Sequence, residues 1–173
     1  MSVSLDGCVA PRDGSGGWIA AGGTSDALDW SVETVSRAGA HLMGAATYEA
    51  MAAHWPTDTG PFAKPMNEIP KIVFSDSLTS ADWADTTIVG GDLVAAITRL
   101  KQESSGGHLL AHGGTRFARS LVKTGLIDEY HLLIHPVILG DGERIFEAPL
   151  SFEPISTTVF SGGAVAHVFA PHR

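Results

Sequence analysis

Two apolar runs of strand length each reach glycine and pass straight into a helical pattern. This repeated step constrains the fold more than any other feature of the chain. The run at 40–43 leads to Gly44 and a helix expected over about 45–53. The run at 108–111 leads to Gly113 and Gly114 and a helix expected over 115–124, with Gly125 just past its end. Strands that alternate with helices need crossover connections, which gives a mostly parallel sheet with helices on both faces. The rest of the chain fits this plan. A first strand ends at 3–5 and turns at Asp6 and Gly7. A helix is expected over 26–37, capped by Ser25 or Asp26, with Leu28, Val32 and Val35 on one face and Gly39 at its end. A loop carries Pro56, Pro61 and Pro65, and strands follow at 71–75 and 86–89. Asp92 caps a helix to about 102 that buries Leu93, Ala96, Ile97 and Leu100. A turn at 104–107, a long apolar strand at 129–137 and a hairpin of 156–160 with 165–170 complete the pattern. The hairpin adds antiparallel strands, so the expected class is α/β with a mixed, mostly parallel sheet and a C-terminal antiparallel hairpin. Residues 1–173 are read as a single domain.

Composition narrows the function. The formal charge of −8 argues against nucleic acid or an anionic membrane as partner, because both need clustered Lys and Arg. The acidity sits in residues 1–86, which hold 4 basic and 11 acidic side chains against 7 and 8 in 87–173. An anionic ligand is therefore better served by the second half. One cysteine, Cys8, excludes an internal disulfide and a cysteine-based zinc site. The first residues lack a basic stretch followed by an apolar run, so no secretory signal is expected, and no apolar run reaches the roughly 18 residues of a membrane span. These features point to a cytoplasmic protein. Charged residues make up only 17% and mean hydropathy is +0.13, which points to apolar surface covered by a second subunit; the strand at 130–139 makes a homodimer the expected form.

The eight histidines include two pairs at i,i+4, His108 with His112 and His131 with His135. That spacing gathers two imidazoles on a helix, but both pairs lie in strand patterns, where four residues cover about 13 Å. Metal binding is not expected. There is no Gly-x-Ser-x-Gly elbow, and Cys8 follows an acidic turn with no cationic activator. The glycine turns are more telling. Between a strand and a helix, glycine lets backbone N–H groups and the helix dipole face a phosphate. Two such turns at the carboxyl ends of strands fit one extended dinucleotide, although the Gly-x-Gly-x-x-Gly fingerprint is absent.

At these residues the chain resembles the dihydrofolate-reductase-like proteins related to the reductase domain of bacterial riboflavin biosynthesis, the C-terminal half of the bifunctional deaminase-reductase. The resemblance rests on Ser4-Leu5-Asp6-Gly7, on residues 42–49, on 71–75, on His112-Gly113-Gly114-Thr115, and on the stretch from 125–129 through 135–142. It implies hydride transfer from a reduced nicotinamide, NADPH or NADH, to a small heterocyclic, pterin- or pyrimidine-like substrate. It also implies roles for particular residues. Gly44, Ala45 and Thr47 would hold the adenosine end and a phosphate, Ser75 and Asp76 would lie near the adenosine ribose, and Gly113, Gly114, Thr115 and Arg116 would hold the pyrophosphate. Val9 would pass the nicotinamide, and Trp30 would flank the substrate pocket.

Hydride chemistry asks little of the protein beyond orientation and a proton. A carboxylic acid in an apolar pocket can have its pKa raised and donate that proton. Asp29, beside Trp30, is the candidate catalytic acid; Asp26 and Asp6 are candidate substrate-binding groups. Four departures from the family pattern matter. Ala45 stands where the family carries Arg, and Asp76 where it carries Arg or Lys, so both cations that meet a 2′-phosphate are missing. Cys8 stands where the riboflavin reductases carry Lys. The family also has a longer first strand, which implies chain upstream of Met1. The competing reading is a non-catalytic ligand-binding protein on the same fold. Gly114→Val is expected to block cofactor binding and leave the fold intact, because the side chain would occupy the space of the phosphate.

Overall fold

The computed structural model describes residues 1–104 and 106–172; Ser105, in the turn expected at 104–107, lies outside the described residues. In chain order the elements are β1 (Ser2–Ser4), β2 (Ala10–Pro11), α1 (Ser25–Ser36), β3 (Ala38–Gly44), α2 (Ala45–His54), α3 (Ala63–Glu68), β4 (Lys71–Phe74), β5 (Thr86–Val89), α4 (Leu93–Glu103), β6 (His108–Ala111), α5 (Thr115–Thr124), β7 (Tyr130–His135), β8 (Gly142–Glu143), β9 (Phe152–Val159) and β10 (Val165–Pro171). Short 3₁₀ turns occupy Gly17–Ala20 and Trp55–Thr57. The architecture is mixed α/β with mostly parallel strands and an antiparallel C-terminal hairpin, as expected from the sequence. No helix among the described residues is long and apolar enough to cross a membrane. The chain divides into two compact units, Met1–Trp30 with Ile127–Arg173, and Ser31–Leu126.

In the first unit the strand order is β1-β7-β10-β9, with β1 parallel to β7 and the others antiparallel. Its core gathers Ala27, Leu133, Phe160, Ala164 and Ala166, with Trp30 packed against them. Ala27 is thus the inward residue of α1, whereas Leu28, expected on the buried face, is 40% exposed. The hairpin starts earlier than its apolar pattern suggests, at Phe152, because β9 pairs with β10 as far as Pro171. Pro154 is tolerated inside β9 because this strand is the sheet edge, where a missing N–H breaks no ladder.

In the second unit four parallel strands lie in the order β5-β4-β3-β6. The central strand β3 is buried along most of its length, as a strand paired on both sides must be. Gly39, expected to end the first helix, lies inside β3, because the carbonyl of Gly106 occupies the space of a Cβ. Met43, Tyr48, Met66, Val73 and Trp83 form the core. Pro65, expected in a loop, is the third residue of α3; its missing N–H belongs to a helix start that leaves such groups unpaired anyway.

Candidate functional site

All four strands of the second unit run parallel, so their carboxyl ends share one edge. Gly44 ends β3 there, Ser75 and Asp76 follow β4, Gly90 to Asp92 follow β5, and His112 to Gly114 follow β6. Three helices start at this edge, and their first turns are finished differently. The Asp92 side chain caps α4, accepting from the Ala95 N–H at 2.7 Å. The N-cap residues of α2 and α5 are Gly44 and Gly114, and neither helix has a side-chain cap. A helix start without a cap presents free N–H groups and the positive end of the helix dipole. These two starts follow neighbouring strands, β3 and β6. Thr47, in the first turn of α2, ties them together by donating from Oγ1 to the Gly113 carbonyl at 3.0 Å.

Packing explains both glycines. A Cβ on Gly44 would sit 3.2 Å from Cβ of Phe117, whose ring stacks on Phe74 with centroids 5.2 Å apart. Gly114 has φ +95°, and a Cβ there would collide with Thr47 Oγ1. The expectation that Gly114→Val spares the fold is therefore corrected. The substitution forces a strained backbone and breaks the Thr47 tie, at a cost of roughly 1–3 kcal/mol. A thermal melt of Gly114→Val should show a lowered midpoint beside any loss of ligand binding; an unchanged midpoint would refute the packing argument.

The other expected cofactor residues fall on the same edge. Ser75 Oγ accepts from the N–H groups of Ser77 and Leu78, building the turn after β4. Asp76 is exposed, and its Oδ1 accepts from the Gly91 N–H at 2.7 Å, which fixes a carboxylate between the ends of β4 and β5. Thr115 and Arg116 open α5, and Arg116 is exposed. Lys71 is no substitute cation here. It is fully buried, its Nζ donates to the Asn67 carbonyl at 2.7 Å at the end of α3, and it lies 4.8 Å from the centroid of the Trp83 ring. Burial pulls its pKa below the ordinary lysine value.

Sequence reasoning missed the polar groups packed behind this edge. His41, fully buried in β3, places Nε2 3.1 Å from the Pro65 carbonyl and Nδ1 2.9 Å from His112 Nε2. Burial lowers both imidazole pKa values, that of His112 to about 3. The available signal was a polar residue at an inward position of an apolar strand, in both β3 and β4.

The candidates in the first unit have different surroundings. Asp6 accepts from Ser4 Oγ at 2.6 Å and from the N–H groups of Leu139 and Gly140 at 3.1 and 2.8 Å. These bonds hold its pKa down to about 2 and make it an internal brace. Asp26 accepts from Thr24 and from the Ser161 N–H and hydroxyl, which likewise lowers its pKa to about 2. Asp29 is exposed on α1 rather than enclosed by apolar side chains. Trp30 is partly buried, 6.1 Å from the Phe160 ring centroid and 6.3 Å from that of His131. Val9 is partly buried, and its N–H donates to the Glu143 carbonyl at 2.7 Å.

The second unit thus carries uncapped glycine helix starts at the carboxyl edge of four parallel strands, and the first unit closes with an antiparallel hairpin. The model of the RibD C-terminal domain family matches residues 1–165, and the chain belongs to that family, a family of reductases. It is 30% identical over 152 residues to the uncharacterized protein YwjB of Bacillus subtilis strain 168, covering 84% of this chain and 79% of YwjB. It is 24% identical over 180 residues to YyaP of the same organism, covering 98% and 91%. Among solved structures, a Shewanella sp. PV-4 protein provisionally assigned to riboflavin biosynthesis superposes with TM-score 0.80 at 24% identity, covering 100% of this chain and 97% of the other. Acinetobacter baumannii RibD superposes with TM-score 0.74 at 17% identity, covering 99% of this chain and 56% of RibD.

Proposed function

We propose that this protein is a nicotinamide-dependent reductase that transfers a hydride to a small heterocyclic substrate of pterin or pyrimidine type. The observation that carries the reading is the pair of uncapped helix starts, Gly44–α2 and Gly114–α5, on adjacent parallel strands and tied by Thr47. Two positive helix ends side by side suit a pyrophosphate, whose charges backbone N–H groups can meet without lysine or arginine. Membership of a reductase family supports the same chemistry. Bound, the dinucleotide supplies the hydride; the protein orients it, with Ser75 and Asp76 toward the adenosine ribose. Asp29 remains the proposed proton donor, and its exposed carboxyl requires bound substrate to cover it. Asp6 and Asp26, already engaged, would act on substrate by holding the surrounding loops.

Fluorescence titration of the native protein with NADH and NADPH tests the reading. Submillimolar binding of either supports it. Binding of neither favours a non-catalytic ligand-binding protein, the reading that the acidic Asp76 also suits.

A homodimer is part of the proposal. Ile155 and Val159 on the edge strand β9 are 53% and 71% exposed, a surface that a second copy would cover. Light scattering at micromolar concentration should give twice 18.1 kDa, and a clean monomer would end that part of the proposal.

A further inference from the structure

The hydrogen bonds behind the sheet edge fix the protons on two histidines. A backbone carbonyl only accepts, so the bond between His41 Nε2 and the Pro65 carbonyl requires the proton on Nε2. Both imidazoles have lowered pKa values and are neutral near pH 7, so His41 Nδ1 is then a lone pair. His112 Nε2, 2.9 Å away, must carry the proton of that bond. What remains on His112 is an Nδ1 that can only accept. His112 is partly buried, and among the described residues its Nδ1 is not one of the fully enclosed atoms left without a partner, so this lone pair keeps some access to the surface. Its residue stands directly before Gly113 and Gly114 at the carboxyl end of β6.

We infer that His112 is a positioning residue of the ligand site, its Nδ1 accepting a hydrogen bond from a neutral donor of the bound dinucleotide, a ribose hydroxyl or the carboxamide N–H. The inference rests on the proposed nicotinamide site. An obligate acceptor repels phosphate and carbonyl oxygens, so it selects the uncharged part of the ligand for β6 while the helix start of α5 takes the phosphates. The Pro65 carbonyl, acting through His41, keeps the acceptor in place: a histidine free to choose its tautomer would present donor and acceptor alike.

The test uses the full chain with ¹⁵N-labelled histidine and long-range proton–nitrogen correlation spectra. In the free protein His41 and His112 should both carry the proton on Nε2. Saturating NADH should move the His112 Nδ1 resonance in the direction of an accepted hydrogen bond. ADP-ribose, which keeps the ribose hydroxyls and lacks the carboxamide, separates the sources: a shift with both ligands assigns the ribose, and a shift with NADH alone assigns the carboxamide. His112→Phe should weaken NADH binding roughly three- to tenfold, the worth of one neutral hydrogen bond. A proton on His112 Nδ1 in the free protein, or an unmoved Nδ1 under bound NADH, overturns the inference and leaves the nicotinamide reading standing. Failure of the native protein to bind NADH and NADPH overturns that reading, and this inference with it.

Discussion

Between about pH 6.5 and pH 4.5 the protein should lose stability steadily as acid is added, and His112 should be the main cause. Its folded pKa is pushed down to about 3, first by burial and then by His41, against an ordinary 6.5. Below pH 6.5 the unfolded chain takes up a proton that the folded chain refuses. The contribution is therefore fully present above 6.5 and is lost as pH falls toward 3, at about 1.4 kcal/mol per pH unit. His41 acts in the same direction. Other groups titrate in other windows. The Met1 amine, lowered by burial from 8.0 to about 6, costs stability as pH falls from 8 to 6. Asp6 and Asp26, lowered to about 2, lose their contribution only as pH falls below their ordinary 3.8. Urea denaturation at half-unit pH intervals measures the slope. A flat profile between 6.5 and 4.5, or an undiminished slope in His112→Phe, would show that the imidazole pair does not control acid stability.

The second large effect concerns the choice of dinucleotide. The native protein should bind NADPH no more tightly than NADH. A 2′-phosphate needs an arginine or lysine, because a buried unpaired charge is costly. Ala45 opens α2 without a charge, the Asp76 side chain is fixed at the end of β4 by the Gly91 N–H, and Lys71 is buried against Trp83. A carboxylate at such a place can accept from a free ribose 2′-hydroxyl, as acidic residues do in NAD sites. One charge-assisted contact is worth about 1.5–3 kcal/mol, or roughly 10- to 150-fold in affinity. Ala45→Arg/Asp76→Arg should therefore strengthen NADPH binding at least tenfold and barely change NADH. Arg116, exposed at the start of α5, is the cation that could defeat the argument. A native protein that already prefers NADPH strongly would show that it does.

Apart from α3, the strands and helices of the second unit were legible because each apolar run ends in its own punctuation. Gly44, Asp92, Gly114 and Gly125 mark helix ends, and all four do so in the structure. Asp92 was readable even in its hydrogen bond, because a cap is local. The edge that gathers Gly44, Asp76 and Gly114 was legible too, since parallel strands must put their carboxyl ends together. At other positions, in both units, the pattern misled for a common reason. Gly39 and Pro65 are usual breakers of structure, yet Gly39 is placed by the carbonyl of Gly106 and Pro65 by the start of α3. Asp6 and Asp26 carry chemistry in isolation, but backbone N–H groups at 139–140 and 161 claim them. The pairing of His41 with His112 spans 71 residues, and nothing local in the chain announces it. Sequence alone determined what short-range geometry dictates: periodicity, caps and the alternation of strands with helices along the chain. Tertiary structure decided which polar atoms meet across the sheet, and so where each proton sits.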